Sequence, residues 1–150
     1  MKKLMVLIVI LGISASLTSQ EKSDNEKEAI IMVIDAAYVQ GLQNGKNLEN
    51  IDKGFHPGFN LLGVDQNNNL TKYPIYNWSA GVKKAVEAGQ KPDIETTAKY
   101  PMIDITGTAA VAKVQLFRGE RHIYTDYLSL YKFEEGWRIV GKVYYSIPEN

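Results

Sequence analysis

Apolar and polar positions in this chain follow two different periods, helical in the first half and alternating in the second. Beyond an apolar run at residues 4–13, Ile30, Val33, Ile34, Ala37, Tyr38 and Gly41 recur at helical spacing. Ser23 and Glu26 stand in front of them as a capping box, so the pattern predicts one amphipathic helix ending near Gly45, with Tyr38 on its buried face. Asn47 is placed to cap a second, short helix whose Leu48, Ile51 and Phe55 share a side, and His56-Pro57-Gly58 stops it. The stretch FNLLGVDQNNNLTKYP reads as a short hairpin with an Asn-rich tip. Pro74 opens a third helix with Ile75, Trp78, Val82, Ala85 and Val86 on one stripe and Gly89 as its stop.

From Ile94 onward the alternation has period two, punctuated by Thr106-Gly107-Thr108, Arg118-Gly119-Glu120 and Glu134-Glu135-Gly136. Four strands joined as a meander are expected, and Pro101 inside the first of them requires a sheet edge or a bulge. Helices followed by an antiparallel sheet make an α+β domain in which a curved sheet buries one face against the helices.

Composition then narrows the biology. With 150 residues, 45% hydrophobic and 10% aromatic, the chain is long enough to bury one core. Lys2 and Lys3 precede the apolar run, and Ser14, Ala15, Ser16, Thr18 and Ser19 follow it, which is the pattern of a signal peptide over residues 1–19. The run is shorter than the about 20 apolar residues of a membrane-spanning helix. The expectation is therefore an exported mature domain over residues 20–150, periplasmic or secreted, with no membrane attachment after leader removal. There is no cysteine, which removes disulfides, lipid-attachment cysteines and thiolate chemistry. Loss of the leader's two lysines leaves 15 basic against 17 acidic residues, a formal charge of −2, which disfavours a nucleic-acid partner.

The order of elements, together with YVQGLQNG, FHP, DITGTAAVAKV and YTDYLSLYKFEEGWRIVGKVYY, resembles the nuclear transport factor 2-like superfamily and, within it, the bacterial lumazine-binding branch. The resemblance implies a cone in which three helices cover a strongly bent antiparallel sheet, a roll also described as cystatin-like, with a cavity between the layers. The superfamily contains isomerases, dehydratases, cyclases and non-enzymatic binding domains, so the fold by itself selects no function.

Candidate chemistry centres on Asp126. Along its strand Tyr124, Asp126, Leu128 and Leu130 point to one side, and the two leucines mark that side as core. A carboxylate there is either a ligand anchor or general base, or a structural acid tied to Lys142 or to a tyrosine hydroxyl. Strict alternation from Trp137 sends Lys142 outward, whereas a bulge at Gly141 brings it to the Trp137 side and into the pocket. His56 is read either as a partner of a helix C-terminus or as a pocket-mouth acid or base working with Asp126. Tyr38 is a candidate hydrogen-bond donor, and Phe55, Trp78, Tyr124 and Trp137 complete the expected ligand-binding wall with Tyr38 and Lys142. His56 and His122 belong to no ligand-spaced motif, so neither a metal nor a cofactor is expected.

Three functions follow from these residues: a non-catalytic small-molecule-binding domain, an isomerase-, dehydratase- or cyclase-type enzyme using Asp126 and His56, and an interaction module whose cone is filled by its own side chains. Thr125, Tyr127, Ser129 and Tyr131, on the face opposite the core, predict a homodimer through the sheet.

Overall fold

In the computed structural model, residues 21–149 are described; the signal-peptide expectation for residues 1–19 lies outside the described residues. The chain is already helical at Glu21, and helix α1 runs over residues 21–33 and continues as a π-helix through Ile34–Gln43. Ser23 therefore sits inside the helix and does not cap it. Its expected capping-box partner Glu26 instead reaches Lys132 and Trp137. The hydrogen bond from Asn44 N to Val39 O, five residues back, shows the widened winding. That winding puts the neighbours Ala37, Tyr38 and Val39, and then Leu42, all in the core.

Helix α2 (Glu49–Gly54) crosses α1 closely. A Cβ on Gly54 would lie 2.3 Å from the Cβ of Ala37, and one on Gly41 would lie 2.8 Å from Cγ1 of Ile51, so each helix needs a glycine at the contact. Phe55 was expected on α2, but its backbone is already extended, with ψ 137°, and it opens strand β1 (Phe55–Val64). His56-Pro57-Gly58 accordingly lie in the strand, one step past the helix end. Strand β2 (Leu70–Pro74) returns antiparallel to β1 as the predicted hairpin, and α3 spans Ile75–Glu87.

Four strands follow as a meander: β3 (Thr96–Thr106), β4 (Ala109–Arg118), β5 (Arg121–Phe133) and β6 (Gly136–Ser146). The sheet order is β2-β1-β6-β5-β4-β3. All neighbours are antiparallel except β1 and β6, a parallel pair that joins the early hairpin to the end of the meander and departs from the all-antiparallel expectation. Pro101 uses both of its allowed escapes, since β3 is an edge and its pairing with β4 slips between Lys99 and Met102.

The helices cover one face of this curved sheet, and the core between them holds Ile34, Tyr38, Phe59, Leu128, Leu130 and Ile139, each at most 1% exposed. Asn44 ties the end of α1 to the start of β3: its amide donates to Thr96 O at 2.9 Å and accepts from Thr96 N at 2.8 Å. This buried two-bond staple fixes where the α1 C-terminus, and with it Tyr38, stands above the sheet.

Candidate functional site

From Asp126 to Tyr131 strand β5 keeps strict alternation, so Asp126, Leu128 and Leu130 are buried while Tyr127 and Tyr131 are 40% and 50% exposed. Strand β6 breaks it. Leu130 pairs with Ile139 but Ser129 pairs with Gly141, leaving Val140 as the extra residue of a bulge. The bulge falls one position before the expected Gly141 and has the same consequence. Lys142 is carried to the side of Trp137 and Ile139, opposite Leu128, and is buried.

There it meets two groups from other elements. Lys142 Nζ lies 3.0 Å from Asp126 Oδ1 and also donates to the Tyr38 hydroxyl, while that hydroxyl donates to Asp126 Oδ2 at 2.7 Å. The phenol's one proton is thus committed to the carboxylate, which removes Tyr38 as a donor to a ligand in this arrangement. Asp126 Oδ1 has a charge partner but no well-aligned hydrogen bond. Lys142 has three protons, of which one goes to the Tyr38 hydroxyl and the others face Asp126 and the surrounding rings without an aligned acceptor.

Burial dominates the electrostatics of the triad. It pushes the Asp126 carboxyl above its usual value, against the opposing pull of the Lys142 charge and the Tyr38 hydrogen bond. It pushes the Lys142 ammonium below its usual value, with Asp126 opposing. The Tyr38 phenol is driven well up, first by burial and then by the neighbouring carboxylate.

A cavity of about 340 Å³ opens beside this triad, lined by Tyr38, Trp78, Arg118, Tyr124, Lys142 and Tyr144 among others. Four rings surround Lys142 Nζ, with centroids at 4.6 Å (Tyr38), 5.2 Å (Tyr144), 5.4 Å (Trp78) and 5.9 Å (Tyr124). Each distance is within cation–π range, so the rings help to hold an ammonium that burial otherwise disfavours.

Of the residues expected from sequence, the fold brings Tyr38, Trp78, Tyr124 and Lys142 around this one cavity, with Asp126 directly behind. Phe55 is elsewhere: it packs edge-on against Tyr38 and Phe59, and borders a separate hollow of about 460 Å³ that faces Ile75 and Tyr76. Trp137 is buried in a different apolar cleft of about 480 Å³ between α1 and the β5–β6 turn, its indole N–H donating to Glu26 at 2.7 Å. His56 stacks on Phe133, with centroids 5.0 Å apart and planes 10° from parallel, and accepts a hydrogen bond from Gly58 N. It borders neither Asp126 nor the 340 Å³ cavity. Sequence reasoning missed Arg118 and Tyr144. Tyr144 is two residues beyond Lys142 and follows from the same parity; Arg118 was read only as a turn marker. Among the described residues no group of three or more His, Asp or Glu side chains is arranged to hold a metal.

Residues 25–145 match the family model described as "Putative lumazine-binding". Among solved structures, the chain is similar to a nuclear transport factor 2-like protein of unknown function from Shewanella baltica OS155, at 29% identity over 83% of this chain and 96% of that one, with a TM-score of 0.65. A second such protein, from Silicibacter pomeroyi DSS-3, shares the fold at 17% identity, 85% and 98% coverage and a TM-score of 0.64. So does a domain of unknown function with a cystatin-like fold from Nostoc punctiforme PCC 73102, at 12% identity, 83% and 79% coverage and a TM-score of 0.58. No curated protein matches the chain.

Proposed function

The chain belongs to the lumazine-binding family of the nuclear transport factor 2-like superfamily, and on that premise we propose that it is an exported domain that holds a small molecule beside Lys142 without converting it. One observation carries the reading: about 340 Å³ stays open in front of a buried ion pair and under four aromatic rings, a volume within the range of small-molecule sites. The same open volume speaks against a cone filled by its own side chains. In favour of binding without catalysis, Asp126 is engaged by both Tyr38 and Lys142, and the second acid-base group, His56, is stacked on Phe133 away from it. Export rests on the leader pattern of residues 1–19.

The reading includes a homodimer through the outer sheet face. Tyr127 and Tyr131 stand exposed there, and aromatic residues suit interface centres because they bury much area at low entropic expense. Sedimentation of the mature protein at micromolar concentration tests this, with a monomeric wild type as the defeating result. For the ligand, native mass spectrometry of protein recovered from its own host is the direct test. We expect a bound mass that disappears in Trp78→Ala. Wild type recovered only as the bare mature chain would count against the reading.

A further inference from the structure

The charges around the cavity are uneven. Its lining includes two cations, Arg118 and Lys142, and no acid. Lys142 is offset by Asp126 immediately behind it. Arg118 is not offset: among the described residues it makes no ion pair, and its cross-strand neighbour Arg121 takes the nearby acid Glu149 at 2.7 Å. The same lining is rich in rings, with Trp78, Tyr124 and Tyr144 all within cation–π distance of Lys142.

We propose that the ligand of this cavity is an aromatic carboxylate, its ring system against Trp78, Tyr124 and Tyr144 and its carboxylate on Arg118. The inference rests on the small-molecule reading of the same cavity and adds the ligand's class. Three arguments lead to it. Flat rings meet planar ligands at the offset or edge-on geometries that aromatic pairs prefer. The guanidinium is a planar fork that matches a carboxylate with two parallel hydrogen bonds, and a monoanion balances the single uncompensated charge where a dianion would exceed it. An organic cation is the other guest that aromatic walls favour, but the Lys142 ammonium already occupies the point where the four rings converge and would repel it.

Three probes with one ring system and different charge separate these cases: 2-naphthoate, 2-naphthamide and 2-naphthylmethylammonium, titrated calorimetrically into the mature protein. Arg118 is exposed, so its replacement leaves the core intact. We expect 2-naphthoate to bind wild type at least about tenfold more tightly than the amide, as a charge-assisted pair allows. Arg118→Gln should abolish that preference, and Arg118→Lys, which keeps the charge without the fork, should retain part of it. Equal affinity for acid and amide, or tightest binding of the ammonium, overturns the carboxylate inference while leaving the small-molecule reading standing. Failure of all three probes on wild type overturns the inference, and the reading beneath it then stands or falls by the host-purified mass.

Discussion

The domain uses the same three side-chain types twice, an acid, a lysine and an aromatic hydrogen-bond donor, in opposite environments. At the cavity, Asp126, Lys142 and Tyr38 come from β5, β6 and α1, and the two charged side chains are 0% and 5% exposed. At the α1 start, Glu26 accepts from Lys132 and from Trp137, with the acid 25% and the lysine 40% exposed. Exposure reverses the chemistry. Burial pushes Asp126 up, whereas the Lys132 and Trp137 hydrogen bonds pull Glu26 down. A charge in water gains from each new partner, and a charge in the core must first recover what it lost in leaving water. The buried set is thus the one whose members cannot be removed singly.

The largest predicted effect tests that statement. Asp126→Ala leaves the Lys142 ammonium buried without its counter-charge and should destabilise the fold by about 3 to 5 kcal/mol. Asp126→Leu combined with Lys142→Met replaces the pair by apolar volume and should recover much of the loss. Urea denaturation of wild type, single and double variants measures both. A single variant as stable as wild type would place the two clusters in one class and dissolve the contrast.

The contrast is partly legible in the sequence. Parity along β5 gives the inward direction of Asp126, because Leu128 and Leu130 share its side, and the Gly141 bulge anticipates the inward Lys142. The extra residue proved to be Val140, since such a bulge accepts a non-glycine residue there. The π-winding of α1 was not legible: Ile30, Ile34, Tyr38 and Leu42 fit ordinary helical spacing equally well. Periodicity also assigns a residue to a face and not to a position along the cone. Trp137 is buried as its alternation implies, yet it belongs to the Glu26 cleft and not to the Lys142 cavity. His56 follows α2 in sequence and reads as a partner of its C-terminus, but the extended Phe55 carries it into strand β1. Arg118 was read only as a turn marker, although it ends β4 at the same parity as the buried Val114 and Leu116.

The next effect is smaller and concerns the exposed set. Glu26→Ala removes the acceptor of the indole N–H of Trp137, a residue 4% exposed, and should cost about 1 kcal/mol, the low end for an orphaned donor because water can enter the adjoining cleft. Glu26→Gln keeps an acceptor for the indole and loses only a surface ion pair, so it should fall within about 0 to 1 kcal/mol and below the alanine variant. Equal losses in both would mean that the ion pair, and not the indole bond, carries this end of the helix.

The smallest effect gives the sharpest sign. Glu26 holds its folded-state value below 4.5, so its contribution to stability is present above that value and is lost as pH falls through the lowered one. Asp126 holds its folded-state value above 3.8, so its contribution is present below that value and is lost as pH rises through the raised one. Acidification should therefore withdraw stability at Glu26 while returning it at Asp126, two slopes that partly cancel in the whole protein and hide each other in a simple melting curve. Carboxyl ¹³C titration separates them, with the Glu26 midpoint expected below its free value and the Asp126 midpoint above. The stability gap between wild type and Glu26→Gln should also close as the pH is brought down from neutral. If both midpoints moved to the same side of their free values, burial would not be what distinguishes the two clusters, and the Lys142 charge would have to outweigh the desolvation of Asp126.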